Sequence, residues 1–301
     1  MKNLRTRSLV IRLTRDFFIQ NGYLEVETPV MGPAIIPEAH IDPARAFSGE
    51  SPLYLQASPE LYMKRLLSRG IPKIFQICKC FRSNERGRFH LPELTLLEWY
   101  GARETYEDLM DQCQDLIRHI SRGLDMDTRL ACRGRILDLA PDFKRLTVAQ
   151  AFREYASLSM DQALESGRFD EIMGFEIEPC LGLEQPCILL DYPASMASLA
   201  RLKPDNSNLA QRFELYMAGI ELANGFTELI DPKIQRSRFE QENRVRSARG
   251  MDGLPLPEKF LSDLGSMPEA AGIALGLDRL VMLFCDAGSI DEVVAFPPEE
   301  Q

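Results

Sequence analysis

The chain has 301 residues, of which 35 are Lys or Arg and 45 are Asp or Glu, so its formal net charge is −10. This balance argues against a surface built mainly to bind a nucleic-acid phosphate backbone, although it allows a local basic cleft. The length fits one large α/β or α+β domain or two smaller domains. No apolar run reaches the roughly 20 residues of a membrane-spanning helix, so we expect no membrane partner.

The cysteines and histidines exclude two further classes of protein. Seven cysteines, an odd number, without a secretory segment at the N-terminus indicate reduced thiols in a cytoplasmic protein. His40, His90 and His119 are far apart in the sequence, which gives no zinc-binding pattern. Cys78 and Cys80 would share one face of a strand, where we expect a packed and inert role.

The first part of the chain predicts a helix, a strand and a loop. Apolar residues at helical spacing predict a helix over Arg7–Gln20, which Asn21-Gly22 would end. A strand-like run over 23–30 follows. The stretch Met31–Ser51 is rich in Pro, Ala and Gly and predicts a long loop of the kind that often carries substrate contacts.

A second helix begins with a typical start signal. Ser58 can cap the helix, Pro59 suits the first helical position and Glu60 complements the positive end of the helix dipole. Gly70 would end this helix.

Two strand-like runs, Lys73–Phe81 and Leu94–Tyr100, predict a hairpin. The polar loop between them carries Arg82, Arg86 and Arg88. Guanidinium groups match phosphate oxygens in geometry and charge, so such a loop binds phosphate if it lies over a cleft and is a solvated tip if it does not. On the second strand Glu98 and Tyr100 share a face, with Trp99 on the other.

The middle of the chain carries no catalytic signature. Residues Glu107–Ile120 have a helical pattern, and Thr147 with Gln150 has the spacing of a capping box before another helix. We expect Leu124–Leu189 to be a helical insertion or a packing layer.

The segment Gly219–Asp231 is the most informative part of the sequence. If it is extended, Asn224, Phe226 and Glu228 point to one face and place an amide, an aromatic plane and a carboxylate together. Such a face suits an amine with an aliphatic stem. The alternative is an amphipathic helix whose acids Glu214, Glu221 and Glu228 recur every seven residues; the glycines of the segment disfavour it.

Near the C-terminus, residues 272–280 run from an apolar strand into a helix that begins near Leu277. Glycines at this junction let a ligand approach the backbone, and the helix N-terminus favours anions. Arg279 can bind phosphate or lie flat on a base.

Taken in order, these segments resemble the three signature motifs of class II aminoacyl-tRNA synthetases, in the lysine-specific branch. Residues 21–29 match motif 1, residues 81–98 motif 2 and residues 272–279 motif 3. Lysyl-tRNA synthetases carry an anticodon-reading domain before motif 1, and here motif 1 begins close to Met1. The chain therefore resembles the members of the family that lack this domain and modify translation elongation factor P.

This resemblance implies an α+β fold, an antiparallel sheet flanked by helices, in one catalytic domain over residues 1–301 without an anticodon-binding domain. It implies a cytoplasmic homodimer, paired through motif 1, that uses ATP and Mg²⁺ to activate (R)-β-lysine or lysine. The amino acid would pass to a lysine side chain of elongation factor P, with no tRNA involved.

The resemblance also implies roles for individual residues. Arg82 and Arg279 would be catalytic, and Glu214 and Glu221 would hold magnesium. The substrate-binding residues would be Ser58, Pro59, Glu60, Glu98, Tyr100, Asn224, Phe226 and Glu228. The ATP-binding residues would be Arg82, Ser83, Asn84, Glu85, Leu91, Leu94, Glu221, Leu222, Gly276 and Arg279. Glu60 would meet the amino group near the carboxylate, and Glu228 with Tyr100 the distal ammonium.

Some positions depart from the family pattern. Asn84 stands where the family has a glutamate, and Leu91 where an asparagine is usual. Leu94 replaces the aromatic residue that stacks on adenine, which predicts weaker or rearranged nucleotide contacts. Ala274 resembles the protein-modifying version of motif 3 and hints at a reshaped amino-acid pocket. The sequence leaves open which lysine isomer is preferred.

Two other functions stay open at this point. One is a minimal lysyl-tRNA synthetase or a ligase of free amino acids. The other is a catalytically silent paralog that senses lysine, which predicts the loss of Arg82, Glu221 or Arg279; all three are present.

Overall fold

The protein is described by a computed structural model over residues 1–39, 41–48 and 51–301, so His40 lies outside the described residues. The helices are α1 (Lys2–Gln20), α2 (Glu60–Leu67), α3 (Tyr106–Gly123), α4 (Val148–Tyr155), α5 (Met160–Glu165), α6 (Phe169–Ile172), α7 (Pro232–Ala248), α8 (Glu258–Leu264) and α9 (Leu277–Phe284). The strands are β1 (Leu24–Glu25), β2 (Met31–Gly32), β3 (Arg45–Ser48), β4 (Ser51–Leu55), β5 (Lys73–Phe81), β6 (Glu93–Ala102), β7 (Arg129–Cys132), β8 (Arg135–Asp138), β9 (Lys144–Thr147), β10 (Cys187–Pro193), β11 (Leu209–Met217), β12 (Ile220–Thr227) and β13 (Ala270–Gly276).

One large sheet organises the fold, with strand order β1-β5-β6-β13-β12-β11-β10-β9. Its inner neighbours pair antiparallel. The outermost strands β1 and β9 pair in parallel with β5 and β10. The expected α+β fold with an antiparallel sheet flanked by helices is therefore confirmed, with a parallel strand added at each edge.

One face of the sheet is apolar because alternate residues of its strands are large hydrophobes. Leu97 and Trp99 of β6 are buried there with Ile273 of β13, packed against α1, α3 and α9. The indole Nε1 of Trp99 donates a 2.8 Å hydrogen bond to Gln112 of α3. The other face carries the polar residues of the same strands, as the alternation around Trp99 predicts.

Two N-terminal predictions need correction. Of the predicted strand over 23–30 only Leu24–Glu25 pairs with the sheet. The segment leaves the sheet soon after Val26, and Pro29 has no N–H with which to continue a ladder. The predicted loop Met31–Ser51 contains β2 and β3, which pair with β4 in a small three-stranded sheet.

The prediction of a helical region over 124–189 is wrong at its ends. Strands β9 and β10 belong to the large sheet, and β7 pairs with β8. Helices α4 to α6, which lie between β9 and β10 in the sequence, do form an apolar packing layer around Phe152 and Phe169. The predicted capping box is present, because Gln150 N–H donates to Thr147 Oγ1 at 3.2 Å. In the described residues no helix is long and apolar enough to cross a membrane.

Candidate active site

Two rows of side chains across the central strands form the floor of a large cavity. The strand register places the members of each row directly opposite one another, so they point to the same side of the sheet. The first row is Glu214, Asn224, Ala274 and Glu98, and the second is Arg212, Phe226, Gly272 and Tyr100. The segment 220–227 is thus a strand, and the helical alternative for it is wrong.

A β-bulge brings Glu221 to this same side. Glu221 is three residues from Asn224, so in a regular strand the two side chains would point to opposite faces. The register between β11 and β12 shifts here: Tyr216 pairs with Glu221 and Leu215 with Ala223. The extra residue, Leu222, reverses the alternation and turns Glu221 toward the cavity.

The glycines of these strands make room for close packing. A Cβ on Gly225 would lie 2.7 Å from the Phe213 ring, so this glycine is tightly packed. A Cβ on Gly272 would overlap the Tyr100 ring and lie 2.5 Å from Glu228 Oε1. Gly272 therefore leaves space for these two side chains.

The cavity has a volume of about 930 Å³. Most of the predicted site residues line it: Ser58, Glu60, Arg82, Asn84, Glu85, Leu91, Leu94, Glu98, Tyr100, Glu214, Glu221, Leu222, Asn224, Phe226, Gly276 and Arg279. Pro59, Ser83 and Glu228 are not among the lining residues. Residues of α2, α7, β2 and β4 also contribute to its walls.

Glu98 lies at the carboxylate-rich end of the cavity. Its two carboxylate oxygens accept hydrogen bonds from the hydroxyls of Ser58, at 2.6 Å, and Tyr100, at 2.9 Å. Burial and the nearby charge of Glu60 raise the pKa of Glu98 to about 8. A cation that enters this end of the cavity would favour the ionised carboxylate.

Lys64 is the most important residue that the sequence analysis missed. Its ammonium is buried between the carboxylates of Glu60 and Glu228, in contact with both. The same ammonium lies 5.2 Å from the centre of the Phe226 ring. Glu60 and Glu228 therefore converge on one buried lysine, where the sequence predicts two separate ammonium sites. The available signal was the four-residue spacing of Lys64 from Glu60 on one helix face.

Glu228 itself is almost fully buried, with 1% of its surface exposed. Burial raises its pKa to about 8, and the charge of Lys64 opposes this rise. Oε2 contacts Lys64, whereas Oε1 has no hydrogen-bond donor among the described residues. A buried carboxylate oxygen without a donor fits the ammonium group of a ligand.

The opposite end of the cavity carries arginines. The Nε of Arg82 is buried and has no hydrogen-bond partner in the described part of the chain, and Nη1 is 3.7 Å from Glu85. A free guanidinium donor fits a phosphate oxygen. The other two arginines of this loop are bound elsewhere: Arg86 pairs with Asp291 and Glu299, and Arg88 donates to a backbone carbonyl.

Arg279 is held firmly at the same end. Its Nη1 donates to the backbone carbonyl of Glu221 at 2.7 Å, and Nη2 is 2.7 Å from His90 Nε2. Burial and the charge of Arg279 lower the pKa of His90, so the imidazole is neutral at pH 7. A fixed guanidinium beside a neutral imidazole gives a preorganised anion site.

One of the two carboxylates predicted to hold Mg²⁺ already accepts several hydrogen bonds. Glu214 accepts hydrogen bonds from the hydroxyls of Tyr192, at 2.5 Å, and Tyr216, at 2.6 Å, and from Arg212 at 2.7 Å. Among the described residues, the carboxylate of Glu221 makes one ion pair, with Arg279 at 3.6 Å.

Burial and the charge of Glu214 raise the pKa of Glu221 to about 7, which a cation would reverse. The described residues contain no group of three or more side chains that could hold a metal alone. Proteins often bind Mg²⁺ through one or two carboxylates together with substrate phosphates. Glu214 and Glu221 therefore fit this ion, provided that Glu214 loses one of its hydrogen bonds.

Other charged residues that line the cavity were not predicted, among them Arg212 and Glu38. Arg212 lies with its guanidinium 4.5 Å from the centre of the Tyr192 ring. Glu38, on the segment before β3, has a pKa raised to about 7 by burial, which the charge of Arg82 opposes. Their sequence signals are weak, because neither lies in a recognisable motif.

The fold and this site define the chain as a member of the class II aminoacyl-tRNA synthetase family. The family model for class II tRNA synthetases of the D, K and N type matches residues 1–300. Relatives named elongation factor P--(R)-beta-lysine ligase, from Edwardsiella ictaluri, Salmonella dublin and Salmonella gallinarum, are each 38% identical over 98% of this chain and 94% of their own length.

Proposed function

We propose that this protein is an ATP-dependent, AMP-forming ligase that activates (R)-β-lysine or lysine and transfers it to a lysine side chain of translation elongation factor P. The observation that carries the proposal is the single cavity with acids at one end and fixed arginines at the other. A diamino acid needs the acids and a nucleotide needs the arginines. The names of the relatives, at nearly full coverage, support the protein acceptor.

The residues at the arginine end act on the nucleotide. The carboxylate of the amino acid attacks the α-phosphorus, and the bond to the β-phosphate breaks to release pyrophosphate. Arg82 holds the α-phosphate and Arg279 holds the base or the γ-phosphate, so both arginines neutralise charge that develops in this step. Mg²⁺, held by Glu221 and Glu214, would neutralise further phosphate charge. The substrate carboxylate is already ionised, so this step needs no base.

The acid end orients the amino acid. Glu228, Tyr100 and Glu98 receive the distal ammonium, and Asn224 and Phe226 flank the stem. Ser58 and Glu60 border the same acid end, because Ser58 bonds Glu98 and Glu60 shares Lys64 with Glu228. In the second step the acceptor amine attacks the activated carbonyl carbon, loses a proton, and AMP leaves.

Phe89 lines the nucleotide end, where Leu91 and Leu94 offer only aliphatic contact. ATP binding by Ser83, Asn84, Glu85, Leu222 and Gly276 belongs to this same proposal.

The decisive experiment supplies the protein with ATP, (R)-β-lysine and elongation factor P. We expect pyrophosphate exchange that depends on the amino acid, together with a mass increase of one β-lysyl group on the factor. Exchange without this mass increase, combined with charging of bulk tRNA, would favour the minimal tRNA synthetase. Measurable lysine binding without exchange would favour the silent, lysine-sensing paralog.

We also propose a cytoplasmic homodimer in which residues 1–301 of each subunit work as one catalytic unit. Exposed apolar residues around motif 1 support the dimer: Ile19, Leu24, Val30 and Met31 are 59%, 52%, 40% and 43% exposed. A Leu24→Arg variant should shift the protein toward monomers in sedimentation velocity. A wild-type protein that sediments as a monomer at micromolar concentration would contradict the dimer.

A further inference from the structure

Lys64 places a buried positive charge beside the carboxylates at which the ligand's own ammonium is expected to bind. Its side chain is 1% exposed and touches both Glu60 and Glu228. The ammonium also faces the Phe226 ring at 5.2 Å. A buried lysine with two carboxylate partners is strongly fixed, because removing either partner leaves an unpaired charge.

The contact leaves one oxygen of Glu228 available. Oε2 is taken by Lys64, and Oε1 lies 2.5 Å from the position that a Cβ on Gly272 would occupy. Gly272 lines the cavity. Oε1 is thus turned toward the cavity floor beside the Tyr100 ring and has no donor among the described residues.

We propose that Lys64 is a positioning residue that determines specificity in the amino-acid pocket: it holds Glu228 Oε2 and Glu60 in place and leaves Glu228 Oε1 directed at the substrate's side-chain ammonium. The inference rests on the proposed function, because it assigns a role within that pocket.

The charges around Glu228 explain why a lysine is needed. Burial raises the pKa of Glu228, the nearby acids Glu60 and Glu98 raise it further, and Lys64 is the cation that lowers it. Burial alone would lower the pKa of Lys64, but the charges of Glu228 and Glu60 raise it above its usual value, so the ammonium stays charged. Without this cation the pKa of Glu228 would rise further, so a ligand ammonium would have to ionise the carboxyl at a greater cost in free energy.

The test compares Lys64→Met with Arg65→Met, a matched change on the same helix. Arg65 pairs with Asp263 outside the cavity. In pyrophosphate exchange at pH 7.5, we expect the KM of Lys64→Met for (R)-β-lysine to rise at least 30-fold, with the KM for ATP within threefold of wild type. The KM for the amino acid should keep falling up to pH 9 in this variant, whereas in wild type it levels off near pH 8. Arg65→Met should behave like wild type.

The specificity should change as well. Lys64→Met should lose at least tenfold of the wild-type preference for the diamino acid over its uncharged 6-hydroxy analogue, since a protonated Glu228 can hydrogen-bond a hydroxyl. A lower melting temperature and kcat with unchanged KM and pH profile would reduce Lys64 to a structural role and overturn the proposal. Wild-type protein without any exchange would refute the proposed function instead.

If Lys64→Met does not fold, the wild-type protein still tests the proposal. The ¹⁵N signal of the Lys64 ammonium should stay protected from solvent, with its partners unchanged, when (R)-β-lysine saturates the pocket. Loss of that protection on binding would mean that the substrate displaces Lys64, and the proposal would be wrong.

Discussion

Binding of a diamino acid should release protons from the acid end of the cavity. In the empty pocket the pKa of Glu98 and that of Glu228 are both raised to about 8, chiefly by burial. An acid with a raised pKa holds its proton at neutral pH, and a nearby ammonium lowers the pKa again. At pH 7 each group is about 90% protonated, so their full ionisation would release about 1.8 protons for each ligand bound.

Glu98→Gln is the perturbation that separates the two groups. The amide cannot ionise, yet it can still bond the hydroxyls of Ser58 and Tyr100 that the carboxylate holds. The variant should therefore release at most about 0.9 protons at pH 7, all of them from Glu228.

Isothermal titration calorimetry without ATP measures this directly. The slope of the observed enthalpy against the ionisation enthalpy of the buffer gives the number of protons exchanged. The release should fall as the pH is raised from 7 to 8.5, because both carboxyls are then increasingly ionised before the ligand binds. A slope of zero at pH 7 with clear binding, or the same release in wild type and Glu98→Gln, would refute the reasoning.

Three further predictions concern Arg82 and Gly276 at the phosphate end of the cavity and the buried Arg246 of α7. Arg82→Ala should slow pyrophosphate exchange by about 100-fold or more, while Arg86→Ala, in the same loop but bound to exposed acids, should not; equal losses would contradict the assignment. Gly276→Ala should leave the melting temperature unchanged, because its Cβ would be no closer than 3.6 Å to any neighbour, but should raise the KM for ATP. Arg246→Met removes a buried guanidinium that donates to three backbone carbonyls, so it should lower the free energy of unfolding, measured by chemical denaturation, by about 2–4 kcal/mol. Arg236→Ala removes one partner of an exposed ion pair on the same helix and should cause no measurable change.

Much of the floor of the site could be predicted because it depends on strand alternation. A strand has a two-residue period, so Glu98 and Tyr100 were expected on one face, and the register of the large sheet keeps them there. The predicted run Lys73–Phe81 is the strand β5. The strand around Asn224 was predictable for the same reason, together with the poor helix propensity of its glycines.

The contact of Lys64 with Glu228 could not be predicted from local pattern. It joins a helix to the end of a strand far away in sequence, and only the packing of α2 over the sheet brings the two charges together. The strand β9 was missed for a different reason: it is a short, mostly polar edge strand with one buried residue, Leu146, and such a strand has little periodic signal.

The bulge at Leu222 shows how the two ends of the cavity are tied to one strand. It turns Glu221 to the face that already carries Asn224 and Phe226, so the acid proposed to hold Mg²⁺ and the residues proposed to flank the substrate stem all belong to β12. Glu228 follows the same strand, four residues beyond Asn224, a distance of about 13 Å in extended chain. That span accommodates the stem of an extended diamino acid. Because a hydrogen-bonded central strand does not stretch, β12 fixes the separation of Glu221 and Glu228, and under the roles proposed for these two residues this separation limits the length of the accepted amino acid.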